Sequence, residues 1–200
     1  MATIDSITLE VTEVAAAERF YAAAFDVGDL LRLRASDSPT SGFRGFTLSL
    51  VVPQPSGVDA LVARARDAGA IVLQEPTKSL WGYGGSVQAP DGTVWTVASS
   101  SKKETGPPSE GVDDVVLQLG VHDVVPSTQF YVDHGFTVRK SFGHTYAELD
   151  AGPVTVTLNK RKAVAKAAGV PPDGTGSHRL AVTSDAGSFT DPDGYVWESR

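Results

Sequence analysis

The chain has no cysteine among its 200 residues. That excludes a disulfide framework, a thiol nucleophile, a zinc–cysteine site and an iron–sulfur cluster. No apolar run approaches the ~20 residues of a membrane span. The first residues, Met-Ala-Thr-Ile-Asp-Ser, lack the basic stretch and apolar core of a signal peptide. A cytoplasmic protein without membrane contact is the expectation. Basic residues are in the minority, 17 Lys and Arg against 24 Asp and Glu, and the formal charge of −7 is shared by both halves. An evenly acidic surface argues against nucleic acid or an anionic membrane as partner. Nucleophile-elbow, P-loop, zincin and dinucleotide motifs do not occur. What is present is an ordinary globular composition, 41% apolar and 20% charged, with enough material for a packed core.

The chain says nearly the same thing twice. "QAPDGTVWTV" (Gln88–Val97) resembles "FTDPDGYVWES" (Phe189–Ser199), and "EVAAAERFY" (Glu13–Tyr21) resembles "DVVPSTQFY" (Asp123–Tyr131). Such self-similarity marks a duplicated unit. Residues 1–99 read as one domain and 112–200 as a second, abbreviated one. The Ser-, Lys- and Pro-rich stretch 100–111 reads as an exposed linker. In the first copy, alternation predicts a strand over Ile4–Val11 and helical spacing predicts Val14–Phe25. Strands follow at Leu30–Leu33 and Phe46–Val52. Val58–Ala68 is an amphipathic helix stopped by Gly69, and Ala70–Leu73, Ser86–Gln88 and Val94–Ala98 are short strands. The second copy repeats this order with strands at Val112–Val121, Phe136–Lys140, Thr145–Leu149 and Val154–Leu158 and a helix at Val124–Asp133. A short basic helix, Lys160–Gly169, reads as a solvated face on an acidic protein. Strands near His178–Val182 and Tyr195–Glu198 close the chain.

These phrases resemble the vicinal oxygen chelate superfamily, which includes glyoxalase I, bleomycin-resistance proteins, fosfomycin-resistance enzymes and extradiol dioxygenases. The doubled Pro-Asp-Gly-x-x-Trp ending is the most specific element. The resemblance implies an α+β fold of tandem paired βαβββ modules, each pair forming an open cupped mixed sheet with helices packed outside. Strands are trimmed in the first and last quarters, and each copy is expected to close its own cup. A monomer is expected, with a homodimer as the alternative. Fold alone does not give function, because the superfamily holds both enzymes and pure binders.

The resemblance also implies where ligands would stand. The first-strand metal place matches Ser6, whose face Thr8 and Glu10 share, and the closing Glu matches Thr96. Neither Ser6 nor Thr96 suits Zn²⁺ or Fe²⁺, so the first half reads as metal-free. In the second half the first-strand place matches Val116, or Asp114 after a two-residue slip. His178 in "SHRLAV" and Glu198 match further ligand places, and Glu148 could face the same space. Asp114, His178 and Glu198 would form a one-His, two-carboxylate set for Fe, Mn, Ni or Zn. Trp95 and Trp197 read as core. In "KSLWGYGG" (Lys78–Gly85), Trp81 and Tyr83 could offer aromatic faces at a cavity mouth. His122, His134 and His144 receive no role. Two functions result. One is metal-independent binding of a small aromatic or cationic molecule through Ser6, Thr8, Glu10, Trp81, Tyr83 and Gln118. The other is a metal-dependent lyase, isomerase or dioxygenase working in the second domain.

Overall fold

A computed structural model describes residues 1–80, 82–107 and 111–200. The first copy contains β1 (Ile4–Val11), α1 (Val14–Ala24), β2 (Leu31–Ala35), β3 (Thr40–Gly42), β4 (Phe46–Val51), α2 (Pro55–Asp67), β5 (Ile71–Lys78), β6 (Tyr83–Gln88) and β7 (Val94–Ser99). The second contains β8 (Asp114–Val121), α3 (Val124–Asp133), β9 (Thr137–Ser141), β10 (Tyr146–Ala151), β11 (Val154–Lys160), α4 (Arg161–Ala168), β12 (Gly174–Gly176), β13 (Leu180–Ser184), β14 (Phe189–Thr190) and β15 (Val196–Ser199). The outer modules are the trimmed ones. The first keeps β1, α1 and β2, and the last keeps β13, β14 and β15 without a helix. Among the described residues, no helix is long and apolar enough to cross a membrane.

The modules pair across the copies, not within them. The eight-stranded sheet runs β5-β6-β7-β4-β8-β11-β10-β9, joined where β4 and β8 lie antiparallel. The five-stranded sheet runs β14-β15-β13-β1-β2, joined where β1 and β13 lie antiparallel. The expectation that each copy closes its own cup is corrected here. The short linker permits this because it only has to step over β4 to carry the chain from β7 to β8. It is also anchored. The buried Gln54 accepts from the backbone N–H of Thr105 and Gly106 and donates to the Pro107 carbonyl. Glu104 accepts from the Ser56 N–H at 3.0 Å, and so supplies the acceptor that the start of α2 lacks in its own N-cap.

The repeated phrases lock one sheet to the other. Tyr21 on α1 donates to Asp91 at 2.8 Å and receives the Trp95 indole N–H at 3.4 Å. Tyr131 on α3 donates to Asp191 at 2.6 Å and receives the Trp197 indole N–H at 3.3 Å. In each case the tyrosine follows the first strand of its copy, in one sheet, and the tryptophan lies in the other. Both indoles are buried in one continuous apolar core that takes residues from both sheets and from α1 to α3. The two locks differ in detail: Asp193, the counterpart of Asp91, instead accepts from the His122 N–H and the Ser127 hydroxyl.

Helix α4 departs from its expected surface role. Val164, Ala165 and Ala168 are buried with Phe43 and Val94, on the face of the eight-stranded sheet opposite α2 and α3. Lys160, Lys162 and Lys166 keep the solvated character read from the sequence. Gly169 ends the helix with φ 75°, a conformation that costs a side-chain-bearing residue.

Candidate functional site

Alternation along the strands of the larger sheet sends Leu48, Leu50, Leu117 and Val156 into the core. The opposite, concave face carries Ser49, Thr96, Asp114, Val116, Gln118 and Thr157. Two adjoining cavities of about 740 and 800 Å³ lie on it and share Ser49, Ala98 and Gln118. Helix α4 walls the second cavity with Ala163, Lys166 and Ala167. Thr96 lines it too, and its hydroxyl is buried without a hydrogen-bond partner.

The first cavity carries the charge. Asp114 accepts from the Thr155 hydroxyl at 2.8 Å and forms no ion pair among the described residues. Glu148 accepts from the Tyr146 hydroxyl at 2.7 Å and has Arg139 at 3.8 Å; Arg139 is held more closely by Asp150, at 3.0 Å. Burial first, and then the hydrogen bond to Glu148, push the Tyr146 hydroxyl well above the ordinary phenol range. Tyr146 therefore stays a neutral donor. Phe142 is 59% exposed on the β9–β10 turn, with its ring centroid 5.8 Å from that of Tyr146. The Lys140 ammonium stands 5.0 Å over the Phe142 ring.

The sequence-derived residues separate into several places. Gln118, Asp114, Val116 and Glu148 line the larger cup together. Ser6, Thr8 and Glu10 lie on β1 in the smaller sheet, with Glu198 on β15. Tyr83 turns away from the cavity, because β6 sends it with Val87 to the helix side, where it donates to Asp59 of α2 at 2.8 Å. Trp81 lies outside the described residues. His178 sits in a loop beside Arg179, the one described non-glycine residue with positive φ (52°). Its Nδ1 faces the Arg44 carbonyl, its Nε2 faces the Asp193 carbonyl at 3.0 Å, and its ring stacks on Tyr195. Both ring nitrogens thus face backbone carbonyl oxygens, and a neutral imidazole can donate to only one of them. Asp114, His178 and Glu198 do not converge, and among the described residues no three His, Cys, Asp or Glu side chains gather in a metal-holding cluster.

The donor chemistry agrees with that geometry. The ligand places implied by the resemblance hold Val116 and Thr96 in the larger cup and Ser6 and Glu198 in the smaller one. Valine has no donor atom, and a neutral hydroxyl is a weak one for the transition ions. Glu198 accepts from Arg34 at 2.9 and 3.2 Å. These residues do not fit a catalytic divalent ion. Sequence reasoning missed Phe142, Tyr146 and Lys140. The shared parity of Tyr146 with Glu148 on β10 was the available signal.

No protein-family model matches the chain, and no curated protein matches it. Solved structures do. A point mutant of glyoxalase I from Zea mays gives a TM-score of 0.63 at 16% identity over 99% of this chain and 93% of that one. Glyoxalase I from the same plant gives 0.60 at 15% over 98% and 91%. A putative dioxygenase from Bacillus subtilis gives 0.55 at 13% over 96% and 71%. At such identities the likeness is one of fold. With its paired modules, the chain has the fold of glyoxalase I.

Proposed function

We propose that the larger cup binds a small, flat organic cation and needs no metal to do so. The observation that carries this reading is the Asp114 carboxylate, which forms no ion pair among the described residues, on the wall of a cavity whose rim holds Phe142 and Tyr146. A negative floor beside an aromatic face attracts a cation that also has a π-surface. Lys140 lines the same cavity and already covers one face of the Phe142 ring, so Asp114 and the Tyr146 ring are the groups left for the ligand's cation. The volumes lie within the several-hundred-Å³ range of small-molecule sites. The Gln118 side-chain amide lies where the two cavities meet and can orient a bound molecule. A monomer suffices, since one chain supplies both modules of each sheet. The metal-dependent alternative is less well supported, because its three residues stand on separate surfaces.

The test uses ethidium as a flat cation and fluorescein as a flat anion, titrated by fluorescence anisotropy into protein stripped with EDTA. Ethidium should bind and fluorescein should not. A cation ~5 Å from Asp114 at an effective dielectric of ~50 gains roughly 1.3 kcal/mol, so Asp114→Asn should weaken ethidium about tenfold. Unchanged affinity in that variant, or equal binding of both dyes, would sink the reading.

A further inference from the structure

The longest cationic run in the sequence, Lys160-Arg161-Lys162, takes no part in the cation site of the larger cup. The fold places it at a turn, where Lys160 ends β11 and Arg161 and Lys162 open α4. A further cavity of about 520 Å³ lies against this turn and shares no residue with the two cavities of the larger cup. The end of β8 and the loops around Pro172 and Asp193 complete its wall. Arg161 is fixed there. Its Nε donates to the Pro172 carbonyl at 2.8 Å, its Nη2 donates to the Phe43 carbonyl, and the guanidinium lies 5.4 Å over the Phe43 ring. Both acceptors are neutral, and Nη1 has no acceptor among the described residues. Gly120 makes this seat possible, since a Cβ there would stand 2.9 Å from the Arg161 Cα. Lys160 and Lys162 are exposed, and none of the three cations forms an ion pair among the described residues. Two carboxylates also line the wall. Asp193 already accepts from the His122 N–H at 2.7 Å and the Ser127 hydroxyl at 3.2 Å, and Asp173 is exposed. Three cations thus outnumber two acids in a cavity of a protein whose formal charge is −7.

We propose that this cavity binds the phosphate group of a small phosphomonoester. A phosphate brings close to two negative charges and three strong acceptor oxygens, so it can engage several of these cations together. The planar Arg161 fork suits phosphate geometry, and the lysines supply point charges beside it. The first turn of α4 carries no acidic residue and no side-chain cap, so its positive end adds to the same field. The volume exceeds the needs of a phosphate alone and leaves space for a group of sugar size. This site stands or falls independently of the cation site in the larger cup.

The experiment titrates ribose 5-phosphate and inorganic phosphate into ¹⁵N-labelled protein at fixed ionic strength, with ribose and succinate as controls. Ribose 5-phosphate should move the backbone signals of residues 120–122, 160–163 and 173–174 with Kd below about 1 mM. Inorganic phosphate should move the same signals more weakly, and the controls should not move them. Lys160→Gln/Lys162→Gln changes only exposed positions, and its unliganded spectrum reports that it is folded. It should weaken ribose 5-phosphate about a hundredfold, roughly tenfold for each unit charge at ~5 Å and an effective dielectric of ~50. No response to either phosphate, unchanged affinity in the double variant, or shifts located elsewhere would overturn the proposal. Succinate binding as tightly as ribose 5-phosphate would overturn the assignment to phosphate.

Discussion

Replacing Tyr131 by Phe removes one oxygen atom from the lock between α3 and β15. That oxygen makes two bonds inside the core. It donates to Asp191, which is 4% exposed, and it receives the indole N–H of Trp197, which is 1% exposed. Losing a hydrogen bond to a buried carboxylate costs about 1.5–3 kcal/mol, and a stranded indole N–H adds about 1. Tyr131→Phe should therefore destabilise by about 2.5–4 kcal/mol. Tyr21→Phe is the internal control. It cuts the same two kinds of bond, but Asp91 is only half-buried, so water can replace the lost donor. Its cost should be about 1–2 kcal/mol. Urea unfolding followed by fluorescence measures both, and the midpoint should shift without a change in slope. Equal costs for the two variants, or a Tyr131→Phe cost below about 1 kcal/mol, would refute the idea that burial of the carboxylate sets the strength of the lock.

Two further outcomes follow from the same interior. Burial raises the Asp191 carboxyl above its ordinary 3.8, and the Tyr131 hydrogen bond opposes that rise. Folding then takes up a proton between the two values, so this group's contribution to stability falls as pH rises through that window. A ¹³C carboxyl NMR titration should place its midpoint above 3.8 and higher still in Tyr131→Phe; a lower midpoint in the variant contradicts the assignment. Gly120, at the end of the β4–β8 seam of the larger sheet, has no room for a side chain, because a Cβ there would stand 2.5 Å from the Gly45 carbonyl oxygen. Gly120→Ala should lower the melting temperature by about 5 °C or more, and an unshifted melt would show that the junction gives way easily.

Much of the fold is legible because local rules agree with it. The β-branched alternation of residues 4–11 and the apolar spacing of residues 14–24 give strand and helix within a residue or two of the observed ends. Helix α2 starts earlier than its apolar pattern, at Pro55, whose fixed φ suits a first turn. The pairing of modules is not legible, since a linker of this length can join β7 to β8 in either arrangement. The site was partly legible. Asp114, Val116 and Gln118 share a face simply by strand parity. Parity with the buried Val87 also puts Tyr83 on the helix side, against the suggestion of a mouth made by the neighbouring glycines. The partners of His178 and Arg34 escape any local reading. One is the Arg44 carbonyl, 134 residues away, and the other is Glu198, 164 residues away.

The most direct test of the account is to see where a flat cation binds. Ethidium titrated into ¹⁵N-labelled, EDTA-treated protein should move the backbone signals of residues 114–118 and 142–148 and the side-chain amide of Gln118. The signals of residues 6–10 and of Glu198 should stay still. Shifts confined to the smaller cup, or shifts that arise only after a divalent ion is added, would contradict a metal-free binding site in the larger one.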